Sequence, residues 1–135
     1  QLNQVFMNIL SNAIDALEEL NATRTREDIK TNPNQITIRT LLLTNKQVQI
    51  VFADNGPGMS QAVRDRIFDP FFTTKPIGEG TGMGMSISYS IITEKHGGSI
   101  RCESEPGRGT EFIIQIPVSQ PTINPAKSKV TATMS

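Results

Sequence analysis

"GEGTGMGMS", residues 78–86, sets glycine at every second position: Gly78, Gly80, Gly82 and Gly84. A helical pattern starts at once behind it. From Met83 the spacing of Ile87 and Ile91 predicts a helix that stops at Gly97-Gly98. A glycine-rich run feeding a helix N-terminus offers free backbone N–H groups and the positive end of the helix dipole, which together favour an anion. Glycine also lets the backbone approach phosphate oxygens with no Cβ in the way. The run lacks the terminal Gly-Lys-Ser/Thr of the phosphate loop and the preceding strand of the dinucleotide fingerprint. A phosphate cradle and a plain surface loop both remain open on these residues alone.

Immediately upstream, residues 69–82 contain two prolines, three glycines and no usable period, so they are expected to form a long loop. Outward from there the chain is regular. Leu2, Val5, Phe6, Ile9, Ala13, Leu17 and Leu20 recur at spacings of three and four and predict a helix over residues 2–20. The polar stretch Asn21 to Asn34 reads as an exposed connection. "QITIRTLLL" and "KQVQIVFAD" predict two strands joined at Thr44-Asn45, and Ser60 predicts the N-cap of a short helix. "SIRCES" and "TEFIIQIPV" flank "EPGRG" as a second hairpin. The polar tail after Val118 is expected to be disordered. Helix, two strands, short helix, loop, helix and two strands describe an α/β sandwich with helices on one sheet face.

Composition narrows the function classes. The chain has 135 residues, with 13 basic and 13 acidic side chains. Lys127 and Lys129 are the only charges after Ser119, so residues 1–118 carry a formal charge of −2. With no basic stripe and few aromatics, no nucleic-acid partner is expected. No apolar run approaches a membrane span, so no direct membrane contact is expected from this chain. The single cysteine, Cys102, reads as a small buried apolar side chain and fits a reducing, cytoplasmic setting. The chain opens inside a helical pattern, which suggests a piece of a longer protein.

Two further groups carry chemistry. In "DNGPG", residues 54–58, Asp54 ends a strand and Gly56 and Gly58 permit a tight turn. An ionised carboxylate only accepts hydrogen bonds, so it suits the amino group of adenine and rejects the carbonyl of guanine. A plain Asp-Asn-Gly turn is the competing reading. Asn8 and Asn12, four apart, share one helix face, and a neutral amide oxygen there can join an oxygen shell around Mg²⁺. Two solvated asparagines are the alternative.

The order of the motifs decides between these readings. "NILSNAIDAL", "DNGPGM", "FDPFFTTK", "GTGMGMS" and "GRGTEF" follow one another across residues 8–112. Together they resemble the catalytic ATP-binding domain of sensor histidine kinases, in the superfamily shared with gyrase and MutL. The resemblance covers about Gln4 to Val118. It implies a two-layer α/β (α+β) sandwich of the Bergerat type, a mixed sheet with helices on one face, over residues 1–118, followed by a tail at 119–135. It implies ATP and Mg²⁺ as cofactors. The family's first strand, which precedes this helix, is missing here, so a sheet edge is expected to be incomplete.

Carried over by position, Asn12 is the Mg²⁺ ligand and Asn8 its catalytic neighbour. Asp54 binds the adenine amino group, Gly56 and Gly58 shape that wall, and Thr110 supports adenine through water. Gly80, Thr81, Gly82, Met83 and Gly84 face the phosphates. Phe72 and Thr74 line the site at the lid, with Phe68, Phe71 and Phe72 as the lid's base or simply as core aromatics. Two departures stand out. Hydrolytic members carry a glutamate where this chain has Asn8, so transfer is the natural chemistry rather than hydrolysis. Many histidine kinases have a lysine three residues after the metal-binding asparagine, where this chain has Asp15. Lys75, in the lid, is the candidate replacement cation, a solvated loop lysine being the other reading. The implied partners are a histidine-containing dimerisation domain of the same protein and a response regulator. A serine kinase of the anti-sigma type and a non-catalytic nucleotide-binding domain are the alternatives.

Overall fold

Val5, Ile9, Ala13 and Leu17 are all buried, which is what the three-and-four spacing of the first helix requires of its apolar face. This helix, α1, runs Leu2–Asn21. The structure, a computed structural model, describes residues 1–72 and 84–118, and the backbone alone of 128–134. Along the chain follow α2 (Arg26–Thr31), β1 (Asn34–Leu42), β2 (Gln47–Asp54), α3 (Gln61–Arg64) and α4 (Gly84–Ser90). A π-helical turn, Ile91–Lys95, extends α4. The strands β3 (Ser99–Ser104), β4 (Thr110–Pro117) and β5 (Ser128–Met134) complete the chain.

The strands form one sheet in the order β3-β4-β2-β1-β5. In register, Ile50 pairs with Ile114 and Ile114 with Ile100; one step along, Phe52 pairs with Phe112 and Phe112 with Cys102. Strand alternation turns all of these toward the same face, where Val5, Ile9, Met85, Ile91 and Ile92 close the core. Each such side chain, fully buried, contributes about 1.5–3 kcal/mol. Helices thus cover one face of the sheet, and the α/β sandwich is as expected. On the other face Val51 and Ile113 are buried too, flanked by Arg39 and Arg101 in register and by the Arg39–Glu111 ion pair at 3.4 Å. Long charged side chains shield apolar strand positions there.

Three expectations need correction. The sheet is not mixed among the described residues: all four strand pairings are antiparallel, because two hairpins meet with β4 running against β2. The tail is not disordered throughout, since residues 128–134 pair with β1 from Asn34↔Met134 to Thr40↔Ser128. The β-branched residues Val130, Thr131 and Thr133 suit a strand, and β1 offers an open edge for it. The connection after α1 contains a helix, α2, started by a capping box in which Asp28 N–H donates to Thr25 Oγ1 and Thr25 N–H to Asp28 Oδ2, both at 3.1 Å.

Candidate functional site

Asp54 is the last residue of β2, at the edge of the helix-covered face. Burial pushes its carboxyl up to about 6, against the pull of the Gly56 and Thr110 backbone N–H groups that favour the charged form. Gly56 N–H donates to Asp54 Oδ1 at 2.9 Å. Asn55, which the sequence reading passed over, fixes this corner. Its Oδ1 accepts from Gln35 N–H at 2.7 Å and its Nδ2 donates to the Pro33 carbonyl at 2.9 Å. The end of β2 is thereby clipped to the start of β1, and the Asp54 carboxylate is held at a defined place.

The glycines of "DNGPG" serve the protein's own packing. A Cβ on Gly56 would stand 2.9 Å from Asp54 Oδ1 and 3.3 Å from Ala16 Cβ, so this corner lies directly on α1. At Gly58, φ is +74° and a Cβ would sit 2.0 Å from the Glu105 carbonyl oxygen. The corner is locked against the β3–β4 turn, where Gly107 N–H also donates to the Pro57 carbonyl at 2.7 Å. Only glycine fits at position 58.

Thr110 begins β4 directly beside Asp54 in register and is buried. Its Oγ1 lies 2.9 Å from Ser104 Oγ, a residue the motifs do not mark. Nearby Cys102, half-buried against the core, has its thiol pushed up to about 12, chiefly by burial, and stays protonated. That agrees with its reading as a small apolar side chain.

One and two turns N-terminal to Ala16 on α1 stand Asn12 and Asn8. Asn12 is half-buried and makes no side-chain hydrogen bond to another described residue. Asn8 Nδ2 donates to the Gly84 carbonyl at 3.0 Å and to Ser88 Oγ at 3.2 Å. Ser88, fully buried and unmarked by any motif, in turn donates to the same Gly84 carbonyl at 2.9 Å. Asn8 therefore ties α1 to the first turn of α4, the end of the glycine run. Thr74, Lys75, Gly80, Thr81, Gly82 and Met83 lie outside the described residues.

The phenylalanines before that run separate. Phe68 packs on Tyr89 and Phe112, with ring centroids 5.4 and 6.3 Å away. Phe72 lies under the Arg66 guanidinium at 4.8 Å. Phe71, 75% exposed and at φ +64°, stacks on no other ring among the described residues.

Residues 1–120 match the family model for the histidine kinase-, DNA gyrase B-, and HSP90-like ATPase. The chain belongs to this family. It is 40% identical over 120 residues to sporulation kinase E of Bacillus subtilis, covering 89% of this chain and 14% of that protein. The chain thus spans about one-seventh of that relative. Among solved structures it is similar to the nucleotide-free catalytic domain of histidine kinase ThkA, at 34% identity and TM-score 0.64, covering 86% of this chain and 65% of that one. Full-length ShkA in complex with AMPPNP matches at 26% identity and TM-score 0.66, covering 86% of this chain and 21% of that one. As a member of this ATPase family, the chain offers a half-buried carboxylate by Ala16 in the C-terminal half of α1, an asparagine pair along the helix, and a glycine-started helix by Asn8 in its N-terminal half.

Proposed function

We propose that this chain binds Mg-ATP and is the catalytic domain of a sensor histidine kinase, passing the γ-phosphoryl group to a histidine on a separate dimerisation domain. One observation carries the reading: α1 spaces the two halves of the site. Ala16 meets the corner that holds Asp54, and Asn8 meets Gly84. Eight residues of helix separate them by about 12 Å. Adenine at Asp54 would leave its phosphates pointing along α1, past Asn12, toward the start of α4.

The residues present fit Mg²⁺ as a companion of the phosphates. No group of three or more His, Cys, Asp or Glu among the described residues could hold a metal unaided. Mg²⁺ keeps a largely water and phosphate shell and needs only one or two protein oxygens, and the amide of Asn12, which bonds no other described residue, supplies one. Bound there, the ion would neutralise charge on the phosphate oxygens. Asn8 cannot take a proton, and its amide nitrogen already bonds Gly84 and Ser88. A water molecule near it finds no general base in that side chain, so transfer to a supplied acceptor is favoured over hydrolysis. Lys75 is the proposed γ-phosphate cation. Gly80, Thr81, Gly82 and Met83, with Phe72 and Thr74, are proposed to close over the phosphates. The AMPPNP complex of ShkA supports a nucleotide in this fold. A response regulator is the proposed onward partner, and the cytoplasm the proposed location.

The acceptor is not His96, the chain's one histidine. It caps the helix that Gly84 begins, roughly 15 Å from that end, and its Nε2 is buried with no hydrogen-bond partner among the described residues. Incubation with γ-labelled ATP, alone and with a separately made histidine-bearing helical hairpin, tests this. Acid-labile label is expected on the added hairpin only and unchanged in His96→Gln. Label on this chain that His96→Gln abolishes would overturn the proposal.

A further inference from the structure

Asp54, Thr110 and Ser104 stand side by side across β2, β4 and β3, each pair in register. Phe52, Phe112 and Cys102, two residues further along each strand, form the same row within the core. The alternation of strands therefore turns the polar row toward the helices as well, at the open end of the core. Ser104 and Thr110 are both buried, so every proton between them has to be placed.

A serine hydroxyl has one proton and two lone pairs. Met59 N–H donates to Ser104 Oγ at 2.8 Å. Ser104 Oγ lies 2.9 Å from the Gly109 carbonyl, which can only accept, and 2.9 Å from Thr110 Oγ1. The carbonyl takes the single serine proton. The bond between the two hydroxyls must then use the proton of Thr110, which leaves Thr110 with lone pairs alone for anything else that approaches.

We propose that Ser104 sets the hydrogen-bond polarity of Thr110, making Thr110 an obligatory acceptor that meets the base directly, rather than through water, beside the Asp54 carboxylate, and this end of the site selective for a base that presents an amino group. Ser104 is a positioning residue here, acting on specificity through Thr110. The proposal deepens the adenine reading and rests on it.

Calorimetry with Mg-ATP and Mg-inosine triphosphate, which carries a carbonyl in place of the amino group, tests the polarity in the 135-residue chain. The unaltered chain is expected to prefer ATP. Ser104→Ala frees the Thr110 proton to turn toward the base, and the preference should shrink about five- to tenfold. Thr110→Val should shrink it similarly, Thr110→Ser should keep it, and Ser104→Ala added to Thr110→Val should change it no further. Equal weakening of both nucleotides by Ser104→Ala would overturn the proposal and leave the adenine reading standing. So would a further shift when Ser104→Ala is added to Thr110→Val. If Ser104→Ala does not fold, the threonine pair decides: equal preferences in Thr110→Ser and Thr110→Val overturn it. An unaltered chain that binds neither nucleotide overturns the adenine reading and the proposal together.

Discussion

Asp54 is costly to its own fold. Its carboxyl, raised to about 6 from an ordinary 3.8, means that between those values the native state holds a proton the unfolded chain has released. Folding stability from this group is therefore lost as pH rises through about 6, by on the order of 3 kcal/mol. Nucleotide binding runs the other way, since an adenine amino group bonds more strongly to the ionised acceptor than to the protonated one. ATP affinity is expected to fall as pH drops from 7 to 5, while the unliganded chain gains stability from the same titration. Calorimetry and urea melts across that range check both. Affinity independent of pH between 5 and 7 would show that the Asp54 carboxylate does not meet the base. At this scale Asp54, Asn8 and Asn12 could be singled out from the sequence because a candidate's chemistry is written in its side-chain type and spacing. Ser104, Ser88 and Asn55 were not, because each matters through partners distant in sequence: Asn8 lies 80 residues from Ser88, and Met59 lies 45 from Ser104.

Elements meet through backbone at the corner after β2, and there glycine has two different meanings. Gly58 and Gly107 share positive φ, at +74° and +80°. A Cβ on Gly107 would point into open space, whereas one on Gly58 would strike the Glu105 carbonyl. Gly107→Ala should cost about 1–2 kcal/mol, the left-handed backbone alone. Gly58→Ala should cost more than about 3 kcal/mol and loosen the turn beside Thr110. Urea unfolding of the two variants separates the effects, and equal losses would show that the corner and the hairpin turn are not locked together. The long periodic elements, α1 and both hairpins, were readable from apolar spacing. The short ones were harder. The helix α2 buries no residue, so no apolar stripe announces it, and only the Thr25 to Asp28 cap does. The strand β5 exists through its pairing with β1, which polar tail composition does not display.

At the scale of the whole molecule, one helix does the dividing. α1 contributes Val5, Ile9, Ala13 and Leu17 to the core, and along its flank Ala16, Asn12 and Asn8 step from the Asp54 corner to the start of α4. Core and candidate site are thus two faces of the same element, which is why one set of ordered motifs pointed to both the sandwich and the proposed chemistry. The strand directions could not be read that way, because pairing sense depends on how the two hairpins dock. The claim that most depends on this arrangement is that Asp54 recognises adenine at one end of α1. Asp54→Asn replaces one acceptor oxygen with a donor that opposes the amino group, at a cost of roughly 1–3 kcal/mol, or about ten- to a hundredfold in affinity. Calorimetric titration of the unaltered chain and Asp54→Asn with Mg-ATP, at pH 8 where the carboxyl is ionised, should show that loss. Equal ATP affinity in the two proteins would contradict it.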